Sequence, residues 1–163
     1  MDFLKIFSSR NNHQENGNEG SKPGNRLQRF LEAQAYMRDG YHDALDEVRK
    51  GRKCGHWVWY IFPQLRGLGY SYMSNYYGIT GKEEALAYLE NETLANRLRE
   101  VSTALLQHTD KSAYDIFGNI DAIKVRSCMT LFDAVSPNDV FEQVLQQFYG
   151  GEQCQRTLKM LEA

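Results

Sequence analysis

The residues of this chain that could do chemistry concentrate in one aromatic and basic segment, residues 48–82. This segment has no Asp or Glu, and its six Lys and Arg residues give it a formal charge of +6. It also holds both tryptophans and eight of the twenty aromatic residues. Because cations hold phosphate while flat aromatic faces stack on bases, this composition fits a small phosphorylated or nucleotide-like ligand. The residues expected to bind such a ligand are Trp57, Trp59, Phe62, Gln64, Arg66 and Tyr76.

A purely structural interpretation of the same segment stays open. Aromatic side chains are common core residues. The basic residues before and after Gly51 fit the end of a helix, because positive charge there interacts favourably with the helix dipole. Composition alone does not separate the two interpretations.

Three residues could act in catalysis. His56 lies among aromatic residues and could serve as a general acid or base, although a histidine held by a backbone carbonyl is the more common case. Lys124 and Ser127 are neighbours on one predicted helix, so they could hold anionic charge or act as base and nucleophile. We expect His56 and Lys124 to face a shared cavity. Gln34 and Arg126 complete the set of expected ligand-binding residues.

Composition limits the class of protein. A chain of 163 residues with 42% hydrophobic residues fits one domain with a real core. The net charge of -2 and a pI near 6.1 disfavour nucleic acid as the partner, because binding to phosphates needs a surplus of cations. The longest apolar run is far too short for a membrane span.

The cysteines and histidines give no sign of a metal or cofactor. The three cysteines form no CxxC pair, and the four histidines show no ligand spacing with carboxylates. We therefore expect no cofactor and no metal. An odd number of scattered cysteines fits the reducing cytoplasm best.

Apolar residues recur mostly at helical spacing from Arg26 onward, which predicts an all-α, compact multihelical single domain over residues 26–163. Thr80 and Glu83 match a reciprocal helix cap, and Ser112 and Asp121 are further expected N-caps. The longest helix is predicted over residues 93–108. Residues 1–25 are rich in Asn and Gly and predict a flexible N-terminal tail that folding does not require.

Four stretches resemble the domain of unknown function 1810 family. The most specific is the run Gly51 to Gln64, GRKCGHWVWYIFPQ, and the others are LQRFLEAQ at 27–34, DIFG at 115–118 and RSCMTLF at 126–132. The resemblance implies a compact, mainly helical bacterial domain whose biochemical activity is not established. Some members carry the label calpastatin, which does not suit this chain because that inhibitor is a disordered repeat protein.

Three functions follow from these observations. The first is a binding or catalytic pocket for a small anionic or nucleotide-like ligand, with His56, Lys124 and Ser127 as its chemical groups. The second is a protein-interaction module that uses the aromatic segment as an exposed patch. The third is RNA binding through the basic stretch. The sequence does not decide whether the protein is an enzyme, and it leaves the oligomeric state open.

Overall fold

The computed structural model describes residues 26–163, and every regular element in that part of the chain is a helix. The expected all-α, compact multihelical fold is therefore confirmed. The predicted tail, residues 1–25, lies outside the described residues. In chain order the helices are α1 (Gln28–Gln34), α2 (Tyr41–Lys50), α3 (Val58–Ile61), α4 (Tyr72–Tyr76), α5 (Lys82–Glu90), α6 (Glu92–Leu106), α7 (Ala113–Val135), α8 (Val140–Tyr149) and α9 (Gln155–Glu162).

The interior is built around α8, which packs against both α6 and α7, while α2 covers α6 and α5 packs against α6 and α7. Each of the three central helices contributes an apolar stripe at helical spacing, for example Leu98, Val101 and Leu105 from α6. The first turn of α9 packs against α7, so the end of the chain closes over the longest helix. No helix in residues 26–163 is long and apolar enough to cross a membrane.

The helix termini confirm one predicted cap and correct two others. Ser112 caps α7 in a reciprocal capping box with Asp115. Thr80 is not a cap: α5 begins after Gly81, and the Thr80 backbone N–H donates to the Glu84 carboxylate. Asp121 is not a cap either, because α7 already continues through it, and its carboxylate pairs with Lys53 at 2.8 Å.

The prediction that the longest helix spans residues 93–108 was wrong. α7 covers 23 residues and α6 covers 15. A kink at Gly118, with φ 78° and ψ 171°, joins two helical segments that the sequence pattern suggested were separate. Gly118 takes this conformation without strain because glycine has no Cβ.

The segment between α2 and α3 is organised by one carboxylate. Glu47 Oε1 accepts hydrogen bonds from the backbone N–H groups of Cys54 and Gly55 and from the Trp57 indole N–H. Trp57 is completely buried and packs against Phe62 and Phe117. This tryptophan therefore belongs to the core, in agreement with the structural interpretation of the aromatic segment.

A buried ion pair connects three parts of the fold. The Arg29 guanidinium makes five hydrogen bonds: two to the Glu84 carboxylate and three to the carbonyl oxygens of Arg26, Tyr76 and Gly78. The side chains of Arg29 and Glu84 are 6% and 1% exposed. Every donor of the guanidinium is used, so α1 and α5 are fixed to the turn that follows α4.

We predict that Arg29→Met lowers the free energy of unfolding by about 3–5 kcal/mol, because it leaves the Glu84 carboxylate buried without a partner. Urea denaturation measures this loss. The double variant Arg29→Met/Glu84→Leu should recover part of the stability, since it removes the stranded charge. Lys50→Met, which breaks an exposed ion pair with Asp46, is the matched control and should leave the denaturation midpoint unchanged. A single variant as stable as this control would contradict the prediction.

We also predict that Trp57→Ala costs about 3–5 kcal/mol of stability, because it removes a large, fully buried side chain from the core. Thermal or urea unfolding gives the value. Tyr70→Ala serves as the control, since Tyr70 is 85% exposed and its removal should leave unfolding unchanged. Equal stability of the two variants would show that Trp57 does not have the packing role assigned to it.

Candidate functional site

A cavity of about 470 Å³ lies between the middle of α7, the loop that follows α3 and the beginning of α9. We call it the α7–α9 cavity. Four of the residues expected from the sequence line it: Gln64, Lys124, Arg126 and Ser127. The other lining residues are Leu68, Gly69, Ile120, Ile123, Glu152, Gln153, Cys154, Gln155 and Arg156. The volume is in the range of small-molecule sites.

The cavity wall carries three cations. Lys124 Nζ lies 5.0 Å from the centre of the Trp59 ring. Its ion pair with Asp121 Oδ1 is long, at 3.8 Å. Arg126 Nη1 lies 3.5 Å from Glu152 Oε1, and Arg156 Nη2 donates to the Gly67 carbonyl at 3.3 Å. The Arg126 Nε is buried and has no hydrogen-bond acceptor among the described residues. A buried donor without a partner costs free energy that an acceptor in the cavity would recover.

The floor of the cavity is formed where α9 begins. Cys154 is the N-cap residue of α9, and its backbone N–H donates to Thr130 Oγ1 on α7 at 2.9 Å. Ser127 lies one turn before Thr130, and its hydroxyl donates to the Ile123 carbonyl of its own helix at 3.2 Å. Burial raises the pKa of the Cys154 thiol, but the Thr157 backbone N–H and the positive charge of Arg126 act against burial, and the pKa lies below its ordinary value.

The Gln64 wall is held by a short pairing with the segment before α5. The Ile79 N–H donates to the Gln64 carbonyl and the Arg66 N–H donates to the Ile79 carbonyl, both at 2.9 Å. Gly78 permits this approach, because a Cβ there would meet the Arg66 Cα at 2.6 Å. The amide side chain of Gln64 is therefore presented by a fixed backbone.

His56 lies in a different cavity. That cavity has a volume of about 490 Å³, and Lys53, Trp59, Gly118 and Asp121 are among its other lining residues. The Trp59 indole borders it, and the ammonium group of Lys124 lies over the same ring. His56 and Lys124 thus line two different cavities, which share Ile120 as a lining residue, and none of the described cavities is lined by both.

The remaining expected residues are dispersed. Gln34 is buried, and its amide donates to the Tyr60 carbonyl and the Tyr88 hydroxyl and accepts from Arg97. It is fully occupied in the core, as Trp57 is. Phe62 lines a void of about 10 Å³ together with three other expected residues, Trp59, Gln64 and Lys124, and the void has room for about one water molecule. Arg66 and Tyr76 line a separate depression beside α1.

Sequence reasoning missed Cys154, Arg156 and Gln153 as parts of the site. A signal was present: Gly150 and Gly151 end α8, and a helix beginning soon afterwards places its first residues near the preceding helices. The sequence could not show that α9 packs against the Ser127 side of α7. In residues 26–163 no group of three or more His, Cys, Asp or Glu side chains could hold a metal ion.

Comparison with known proteins supports the resemblance and extends it to a solved structure. A crystal structure of a conserved hypothetical protein from Mycobacterium tuberculosis is similar, with a TM-score of 0.80 and 43% sequence identity. The similarity covers 84% of this chain and 96% of that protein. No curated protein matches the chain. The family model described as protein of unknown function, DUF1810, matches residues 24–161, so the chain belongs to that family.

Proposed function

We propose that the α7–α9 cavity binds a small anionic ligand that carries a phosphate or a similar group. The observation that carries this proposal is the group of three cations on the cavity wall, Lys124, Arg126 and Arg156. One of them, Arg126, also has a buried Nε donor with no acceptor among residues 26–163. Proteins rarely leave such a donor unpaired, because its desolvation is not compensated. An anion in the cavity would pair with the exposed part of the Arg126 guanidinium and offset part of this cost.

The charges around the cavity support an anion rather than a cation. Lys124, Arg126 and Arg156 line it together with a single carboxylate, Glu152. Glu152 is an exposed residue whose side chain is 73% exposed, so solvent weakens its effect on the cations. The first backbone N–H groups of α9 also lie at this end of the cavity and favour negative charge.

The rest of the wall suits the non-phosphate part of a ligand. Ile120 and Ile123 are 72% and 50% exposed, and with Leu68 they form an apolar lip next to the cations. An apolar lip beside an anion site fits a ligand with a ring or a short hydrocarbon portion. A nucleotide-like compound is one such ligand, and a sugar phosphate would leave the lip uncovered.

The catalytic roles expected for His56, Lys124 and Ser127 stay predictions. Lys124 and Ser127 line the cavity, where the ammonium group could hold the anionic part of a ligand. His56 lies in the neighbouring cavity, from which it could act only on a ligand that extends past Trp59. Binding therefore has stronger support than catalysis.

Nucleic-acid binding has less support. The basic residues of the segment 48–82 do not follow one surface track: Lys53 pairs with Asp121, Lys50 pairs with Asp46, and Arg66 lies beside α1. The aromatic patch expected for a protein-interaction module is also divided, because Trp57 is buried while Tyr70 and Tyr72 are exposed.

The free state of Cys54, Cys128 and Cys154 supports a reducing location, and we propose the cytoplasm.

The test is binding of phenyl phosphate and AMP, each compared with its uncharged counterpart, phenol or adenosine. Isothermal titration calorimetry at low salt should detect the phosphorylated compound in at least one pair and not its counterpart. Arg126→Met and Lys124→Met should each weaken binding at least about tenfold, because each removes a charged hydrogen-bond donor. Raising the salt concentration should weaken binding further.

Arg49→Met is the matched control, since Arg49 is an exposed basic residue in the last turn of α2 and does not line the cavity. It should bind as the unaltered protein does. Equal loss in all three variants would mean that the effect is general surface charge. Failure of both phosphorylated compounds, followed by failure of a broader set of phosphate monoesters, would contradict the proposed function.

A further inference from the structure

We propose that Cys154 is the nucleophile of the α7–α9 cavity, and that its thiolate forms a covalent bond with an electrophilic carbon of an anionic molecule bound there. The nature of the bound molecule rests on the function proposed above. The reactivity of the sulfur rests on separate observations at the beginning of α9.

The backbone of Cys154 is fixed at both of its polar groups. The N–H donates to the buried Thr130 Oγ1 at 2.9 Å, and the carbonyl accepts from the Leu158 N–H at 3.2 Å. The residue is 8% exposed and lines the cavity. A nucleophile held in this way meets a bound molecule with little loss of conformational entropy.

Thr157 provides an independent observation. Its side chain is completely buried, and its Oγ1 has no hydrogen-bond partner of good geometry among the described residues. The group next to it is the Cys154 thiol. A neutral thiol is a weak acceptor, whereas a thiolate accepts strongly. The hydroxyl of Thr157 therefore gains a full partner only when Cys154 is ionised.

Further groups favour the ionised sulfur. The Thr157 backbone N–H donates toward the sulfur, and the positive charge of Arg126 acts in the same direction. Cys154 also occupies the N-cap position, where the dipole of α9 stabilises negative charge. These contributions outweigh burial, which acts against the thiolate, so the pKa of Cys154 falls below its ordinary value.

The reaction balances without an oxidant or a metal. The thiol first loses its proton to solvent. The sulfur lone pair then forms a bond to the electrophilic carbon, and the leaving group departs from that carbon with its bonding electrons. Lys124 and Arg126 would hold the anionic part of the molecule, so that the carbon lies near the sulfur.

The other two cysteines are internal controls in the same molecule. Cys54 is exposed, and its thiol makes a weak hydrogen bond to the Arg52 carbonyl at 3.8 Å. Cys128 is completely buried, and desolvation raises its pKa. Neither lines the α7–α9 cavity. A reagent that distinguishes the three thiols reports directly on the surroundings of each.

The experiment compares alkylation by iodoacetate, which is anionic, with alkylation by iodoacetamide, which is neutral. The thiolate displaces iodide from either reagent, and mass spectrometry of peptides gives the rate at each cysteine between pH 5.5 and 9. The alkylation rate of Cys154 should rise with pH and reach half of its maximum at a lower pH than the rate of Cys54. Cys128 should not react. The ratio of the two rates at one pH is independent of the thiolate fraction, so it measures attraction of the anion alone. That ratio should be at least about tenfold higher at Cys154 than at Cys54.

Variants separate the contributions. Thr157→Val is nearly isosteric and removes an unpaired buried hydroxyl, so it should fold at least as well as the unaltered protein. It should move the midpoint for Cys154 to higher pH, whereas a purely structural role of Thr157 would change only stability. Arg126→Met should lower the iodoacetate to iodoacetamide ratio at Cys154, and Arg49→Met should not.

The outcomes distinguish this proposal from the function on which it rests. Two results would contradict the proposal that Cys154 is a nucleophile, whether or not phosphorylated compounds bind. One is a pH midpoint of alkylation equal to that of Cys54, and the other is no alkylation of Cys154 in the folded protein. A low midpoint with equal reagent ratios at Cys154 and Cys54 would overturn the anionic partner and the anion site, while the reactive thiolate would stand. A low midpoint together with a high ratio supports both.

Discussion

The Arg29 guanidinium is the interaction on which the arrangement of the cavities depends. It lies between α1, α5 and the turn after α4, and all of its donors are used by Glu84 and by backbone carbonyls. One of these carbonyls belongs to Gly78, whose neighbour Ile79 pairs with the backbone on either side of Leu65. The Arg29–Glu84 ion pair therefore helps to fix the segment around Gly78 and Ile79, and this segment in turn holds the Gln64 backbone at the cavity wall.

Most buried polar groups in the described part of the chain are paired, so an unpaired buried group there indicates where a ligand or an ionised group could bind. Gln34, Glu47 and Glu84 use their side-chain atoms to hold backbone segments together. By contrast, the Arg126 Nε and the Thr157 hydroxyl are buried without an acceptor, and both lie close to Cys154. The Trp59 indole N–H is also buried without an acceptor among the described residues, but the Arg126 Nε and the Thr157 hydroxyl lie at one site, where a thiolate would offer an acceptor.

The aromatic and basic segment serves both structure and site. Trp57, Tyr60 and Phe62 are core residues, and Lys53 is held in an ion pair. Trp59 is different, because it lines the His56 cavity and the Lys124 ammonium group lies over its ring. The composition of the segment was therefore informative about where a site lies, but it did not separate the packing residues from the lining residues.

The sequence by itself determined the helical class, one of the helix caps and the family. These depend on local periodicity, on caps such as Ser112 and on a contiguous motif, and all three can be recognised along the chain. It also placed Lys124, Arg126 and Ser127 on one helix, since residues at this spacing share neighbouring turns. Local patterns were less reliable for helix termini. Thr80 is a residue type that often caps a helix, but the N-cap of α5 is Gly81, one residue later. The Glu84 carboxylate accepts hydrogen bonds from Arg29 and from the Thr80 backbone N–H.

Only the tertiary structure decided which chemical groups meet. Lys124 and Cys154 are brought together because α9 packs against α7, whereas His56 lines a different cavity. The physical reason is that these contacts depend on how apolar faces distant in sequence pack. Periodicity shows that a helix has such a face, but it does not specify the partner or the rotation of one helix against another.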